Sequence, residues 1–165
     1  SYDLHKVERI KCNGSAVKST SIRNFIKSGN IKKANKALGR KFSFYGKVVH
    51  GKGLGGKLLS PTANIAREDI SQLLPKDGVY HTDLFIKKDN KKYNSVCNIG
   101  IRPTFNDDEN DKTIEVHILD KADFDIYNCE VEVIFKNYVR DEIKFNNKKE
   151  LINQINLDKD YCINN

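Results

Sequence analysis

Between Thr113 and Ile118 apolar and polar side chains alternate without a break. Ile114, Val116 and Ile118 fall on one face of an extended chain, and Thr113, Glu115 and His117 fall on the other. A second run, from Cys129 to Val139, repeats the pattern with Val131, Val133 and Phe135 directed inward and Glu130 and Glu132 outward. Alternation of this kind suits an antiparallel sheet packed on one face and wet on the other, and it does not suit a helix. Turn signals extend the pattern. Asp77-Gly78 opens a run from Val79 to Ile86, Asp89-Asn90 turns the chain, and Lys92 to Ile99 returns, so these two runs are predicted as a hairpin. Tyr45 to His50 is a further short strand, aromatic and β-branched. Tyr45, Tyr80, Phe85 and Tyr93 sit among apolar alternations and are expected in the core.

Helical periodicity is confined to the two ends. Thr20 is placed to cap a helix through Ile22, Phe25 and Ile26 that stops at Gly29, and Asn30 to cap a second through Ala34 and Leu38 that stops at Gly39. A third helix is predicted from Lys148 to Tyr161, with Asn147 as its cap and Leu151, Ile152, Ile155 and Leu157 as an apolar stripe covering an end or flank of the sheet. Arg67 to Pro75 reads as a polar connection and Asn106 to Lys112 as an acidic loop.

A length of 165 residues fits one principal domain with an appendage. The excess of 29 Lys+Arg over 22 Asp+Glu suits an anionic ligand, although scattered lysines on a solvated surface account for much of it. No run is long and apolar enough to cross a membrane, and no signal peptide is read at the start. The four cysteines, Cys12, Cys97, Cys129 and Cys162, form no Cys-x-x-Cys pair; Cys97 and Cys129 read as small core hydrophobes, and a reduced, cytoplasmic protein is the expectation. The chain has no methionine, which points to a piece of a longer polypeptide or to a trimmed one.

Chemistry concentrates after the first strand. His50 runs into Gly51, Gly53, Gly55 and Gly56, interleaved with Lys52 and Lys57, and the segment ends at Pro61-Thr62-Ala63-Asn64. Glycines let backbone N–H groups converge on one point, and the lysines add positive charge there. Thr62 and Asn64 can both present oxygen to a hard cation such as Mg²⁺. Glycine spacing here matches neither the Walker pattern nor the dinucleotide fingerprint, and an ordinary surface turn is the competing reading. The same holds for Glu115 and His117, which point together yet also fit the wet face of any antiparallel strand. Arg102 is a candidate anion partner, but the general preference of arginine for planar multidentate bonding favours a donor to loop carbonyls.

The string from Phe44 to Ile65 resembles the signature of riboflavin kinases, in which a strand ending in His-Gly leads through a glycine-rich loop to Pro-Thr-Ala-Asn. Pro61, Thr62, Ala63 and Asn64 reproduce that tetrad in full. Leu59 stands where the family usually has glycine, and Gly56 where it usually has a basic residue. Gly78-Val79-Tyr80 and the block from Asn98 to Phe105 match further family motifs. Glu115, His117 and Asp120 reproduce a Glu-x-His-x-x-Asp string, Tyr127-Asn128 stands for the family's Tyr-Gly, and Arg140, Glu142, Lys144 and Phe145 match a block beside the flavin pocket. The resemblance covers residues 40 to 160. Ser19 to Arg23, with Leu38-Gly39, is similar to the closing motif of the bacterial FMN adenylyltransferase module. Lys18 replaces a usual serine there, and the His-x-Gly-His of that module is absent.

These resemblances imply a mainly β fold, a six-stranded antiparallel Greek-key β-barrel with a C-terminal helix and a short helical N-terminal extension. They divide the chain into a remnant of an adenylyltransferase module over 1–40 and a kinase domain over 41–165. The implied activity is transfer of the γ-phosphoryl group of ATP to the ribityl 5′-hydroxyl of riboflavin, giving FMN and ADP on the route to FAD, with Mg²⁺ as cofactor. Gly51, Gly53, Gly55, Lys57 and Thr62 would hold ATP, flanked by His117, Asp120 and Tyr127. Thr62 and Asn64 would bind the metal, Glu115 would act as base, and Arg140 and Phe145 would border the flavin. The partners implied are riboflavin and ATP, without nucleic acid or membrane, and an N-terminal adenylyltransferase module in the full-length protein. An oligonucleotide-binding barrel would interleave exposed aromatics with Lys and Arg. A non-catalytic flavin binder would lack the glutamate or the metal ligands, and both are present. Adenylyltransferase activity is not expected of this chain.

Overall fold

The computed structural model of this chain describes residues 11–12, 14–50, 62–101, 112–119 and 125–164. A small ribbon of β1 (Lys11–Cys12) and β2 (Ser15–Ala16) precedes helices α1 (Ser19–Lys27) and α2 (Ile31–Leu38). Strands β3 (Ser43–Val49), β4 (Thr62–Arg67), β5 (Gly78–Ile86), β6 (Lys91–Ile101), β7 (Lys112–Ile118) and β8 (Glu130–Arg140) follow, and α3 (Lys148–Asn164) ends the chain. The six long strands close into an antiparallel barrel in the order β3-β4-β7-β6-β5-β8. Within it β5, β6 and β7 form successive hairpins and β8 returns to lie beside β5, which is the Greek-key arrangement.

Alternation places the core. Phe44, Val48, Ala63, Ile65, Tyr80, Leu84, Cys97, Ile99, Ile114, Val116, Val131, Val133 and Phe135 all point into the barrel and are buried. Phe135 is central, with the rings of Phe42, Phe44 and Tyr80 at 5.6, 5.8 and 5.2 Å. Tyr45 departs from the expectation of a core aromatic. It lies between inward-facing Phe44 and Gly46, so the two-residue period turns its ring outward, 43% exposed, with the Lys87 ammonium 5.4 Å from its centroid. Strand β4 was not apparent as a strand, because Thr-Ala-Asn-Ile-Ala-Arg has few β-branched residues. Its extended form comes from pairing with β3 and β7 on either side.

The two N-terminal helices pack on each other, and α2 packs on β8 of the barrel. Ile26, Ile31 and Ala34 join the same core cluster as Phe42 and Phe135. Asn35 of α2 fastens the seam twice, its Nδ2 donating to the Phe135 carbonyl at 2.9 Å and its Oδ1 accepting the Phe42 N–H at 2.7 Å. The predicted caps are displaced. Helix α1 begins at Ser19, so Thr20 lies inside its first turn, and Asn30 occupies the cap position of α2 but donates to Ser28 Oγ instead. Gly39 ends α2 with φ +68°, a left-handed conformation that glycine adopts freely.

Helix α3 lies along the flank formed by β6 and its neighbours. Asn147 caps it, accepting the Glu150 N–H at 3.0 Å, while Glu150 reaches back to the Asn146 N–H at 3.1 Å. Leu157, expected in the apolar stripe, is 61% exposed, whereas the adjacent Asp158 is 5% exposed. The cause is Arg140. Its guanidinium holds Asp158 through Nε at 2.9 Å and Nη2 at 2.6 Å, and this turns the acid rather than the leucine toward the barrel. Under the end of α3 sits a polar cluster. His81 Nε2 is 2.7 Å from Asn94 Oδ1, Lys136 Nζ is 3.0 Å from the same oxygen and 2.5 Å from Asp83, and Asn94 Nδ2 donates to the Cys162 carbonyl at 3.2 Å. Burial is the main cause that pushes the His81 pKa below its usual value. Among the described residues no helix is long and apolar enough to cross a membrane.

Candidate active site

The antiparallel order sorts the connections onto two rims. Strand β3 ends and β4 begins at one rim, where β7 ends and β8 begins, so His50, Thr62, Leu119 and Cys129 lie toward the same end of the barrel. The opposite rim carries 68–77 and 141–147, with the end of β6 and the start of β7. The wall between them is formed by β4, β7 and β6.

On the outer face of that wall the sequence-predicted residues come together. Thr62 pairs directly with His117, and Asn64 with Glu115. Glu115 pairs on its other side with Asn98 of β6. Their inward neighbours Ala63, Val116 and Cys97 are buried in the core, so Thr62, Asn64, Glu115, His117 and Asn98 share the outer face, each partly exposed. Directly paired residues have Cβ atoms about 4.5–5.5 Å apart, which is close enough for two side chains to serve one ligand. The oxygen donors of Thr62 and Asn64 are two positions apart on one side of a strand. They are hard and neutral, and donors of this kind suit a hard divalent cation.

Burial pushes the pKa of His117 down to about 4, with Lys159 of α3 adding to the effect. At neutral pH the ring is therefore uncharged and serves as a hydrogen-bonding group. Tyr127 stands at the rim where β3 ends, its ring stacked on His50 at 3.9 Å between centroids. Beside it is an open hollow of about 500 Å³ lined by Lys87, Lys88, Tyr127, Asn128, Cys129 and Glu130. Asn128 adopts φ +62° and donates its N–H to the Val48 carbonyl at 2.9 Å. Asparagine tolerates the left-handed region better than other non-glycine residues, so the turn keeps its form.

Arg140 lies at the other rim and is bound within the chain. Besides its bonds to Asp158, its Nη1 donates to the Asp141 carbonyl at 2.9 Å. Phe145 lies half-buried in the segment joining β8 to α3. Gly51, Gly53, Gly55, Lys57 and Asp120, like Arg102, lie outside the described residues. Two residues not singled out for the site join it. Asn98 completes the row through Glu115, and its Nδ2 donates to Glu142 Oε1 at 3.4 Å. The alternation of β6 already puts Asn98 on the polar face, while the approach of Glu142 depends on a fold-back that no local pattern announces.

A family model described as riboflavin kinase matches residues 38–164. The bifunctional riboflavin kinase/FMN adenylyltransferase of Buchnera aphidicola is 37% identical over 158 residues, covering 95% of this chain and 49% of the relative. A crystal structure described as a macrolide-efflux protein from Streptococcus pneumoniae superposes with TM-score 0.85 at 34% identity, covering 96% of this chain and 50% of that one. Riboflavin kinase from Trypanosoma brucei superposes with TM-score 0.55 at 25% identity, covering 74% and 77%. The chain spans about half the length of the curated relatives it matches. With the family model covering the barrel and α3, and with Thr62 and Asn64 paired to His117 and Glu115 on one face, this chain belongs to the riboflavin kinase family.

Proposed function

We propose that this chain transfers the γ-phosphoryl group of ATP to the 5′-hydroxyl of riboflavin, forming FMN. The observation that carries the reading is the direct pairing of Asn64 with Glu115 and of Thr62 with His117 across β4 and β7. Phosphoryl transfer asks a protein mainly to position two substrates and to offset charge, and this pairing sets a proton acceptor beside the metal-directed oxygens. Thr62 and Asn64 would hold Mg²⁺, which when bound offsets phosphate charge. The backbone of Gly51, Gly53 and Gly55, with Lys57, would cradle the phosphates next to them. Glu115 Oε would take the proton from the 5′-hydroxyl as that oxygen attacks phosphorus. Uncharged His117 would donate or accept one hydrogen bond at the nucleotide without adding charge, and Asp120 and Tyr127 would flank the base. The rim bearing 141–147, with Arg140 and Phe145, would face the flavin.

The two-rim layout supports this division, since the substrates would approach from opposite ends and meet on one wall. Residues 1–40 would correspond to the end of an adenylyltransferase module in a two-module polypeptide, as in the bifunctional relatives. The free thiols of Cys97, Cys129 and Cys162 suit the reducing cytoplasm. Incubation of the purified chain with riboflavin, ATP and MgCl₂, followed by chromatography, should yield FMN. Folded protein that yields none overturns the proposal.

A further inference from the structure

We propose that Asn98 is a positioning residue for phosphoryl transfer, coupling Glu115 to the 141–145 segment through Glu142; this rests on the riboflavin kinase reading. Asn98 stands between two carboxylates. Directly across the strand pair is Glu115, and on the same outer face Glu142 folds back from beyond β8. The place of Glu142 is set by Gly100, one outward position along β6. A Cβ on Gly100 would overlap the Glu142 carboxylate, so the missing side chain makes the seat that the acid occupies.

Chemistry orients the carboxamide between them. An ionised carboxylate only accepts hydrogen bonds, so Asn98 must present Nδ2 to Glu142, as it does at 3.4 Å. A neutral donor here stands between the two acids and holds Glu142 to β6. A third carboxylate in the row would instead repel both, because like charges directly opposite on a sheet destabilise it. The row Asn64, Glu115, Asn98 and Glu142 thereby runs from the metal-directed oxygens to the segment after β8. Movement of that segment is transmitted through Asn98 to the acid that takes the proton.

The test compares Asn98→Ala, Asn98→Asp and Gly100→Ala with the parent by steady-state kinetics, with folding checked by thermal melting and riboflavin affinity read from flavin fluorescence. Misplacement by about 1 Å can cost on the order of 10²-fold. Asn98→Ala should therefore lower kcat by roughly 10- to 100-fold, with KM for both substrates and riboflavin affinity within about threefold. Asn98→Asp keeps the shape of the residue. A space-filling role would tolerate it, whereas the positioning role requires kcat to stay low. Gly100→Ala displaces only the flexible end of Glu142 and should fold, yet it should lower kcat about fivefold or more. Parental kcat in Asn98→Ala or Gly100→Ala, rescue by Asn98→Asp, or a loss carried wholly by KM overturns the proposal while the kinase reading stands. A parent that forms no FMN overturns both.

Discussion

The row across β4, β7 and β6 assigns different costs to neighbouring side chains. Asn64→Ala removes a carboxamide oxygen that a methyl group cannot replace, so affinity for Mg·ATP should fall by about tenfold, or roughly 1.4 kcal/mol, with the fold unchanged. A nucleotide titration with equal affinity in both proteins would take Asn64 out of the metal shell. Glu115→Gln keeps size and most hydrogen bonding but cannot accept a proton at neutral pH. Turnover should drop by about 10²–10⁴-fold while both substrates still bind. Turnover within a few-fold of the parent, in protein with normal circular dichroism, would mean that Glu115 is not the base. Much of this site was legible in the sequence. Alternation in β7 places Glu115 and His117 on one face without any structure. Their juxtaposition with Thr62 and Asn64 depends on pairing between strands some fifty residues apart, which no local pattern specifies.

Among the elements, α3 shows where the sequence pattern misleads. An apolar stripe implied attachment through Leu157, but the helix is held by the ion pair of Arg140 with Asp158 at 2.6 Å. Removing one member of a largely buried pair leaves the other without compensation, so Asp158→Ala should destabilise the protein by about 3 kcal/mol in urea. Arg140→Met combined with Asp158→Leu should recover most of that loss, because apolar replacement of both partners is often neutral. A double variant no more stable than Asp158→Ala would show that the charges themselves are needed. Helix and strand identities were otherwise visible, β4 excepted. That strand is short of β-branched residues and takes its conformation from its two neighbours, which makes it a tertiary result rather than a local one.

At the scale of the molecule, the polar cluster under α3 makes stability depend on pH. The pKa of His81 is lowered in the folded protein, chiefly by burial, so the unfolded chain binds a proton more readily. The unfolded value is about 6.5, and stability should therefore be full above it and decline as pH falls below it. Burial of His117 acts in the same direction. Urea midpoints measured from pH 7.5 to 5 should fall steadily, and His81→Gln should flatten part of that slope despite a lower midpoint at pH 7.5. A slope identical to the parent's would remove His81 from the linkage. Barrel closure and the Greek-key return of β8 were beyond local patterns, since neither leaves a trace in any single window of sequence; both rested on resemblance. The seam made by Asn35, Phe42 and Phe135 carries a further consequence, for descent. A recombination event that follows the motif boundary near residue 40 would cut through a shared apolar core, leaving Phe135 with water on one side and two helices without a floor. The helical hairpin and the barrel therefore form one physical unit, larger than the one that the motifs delimit.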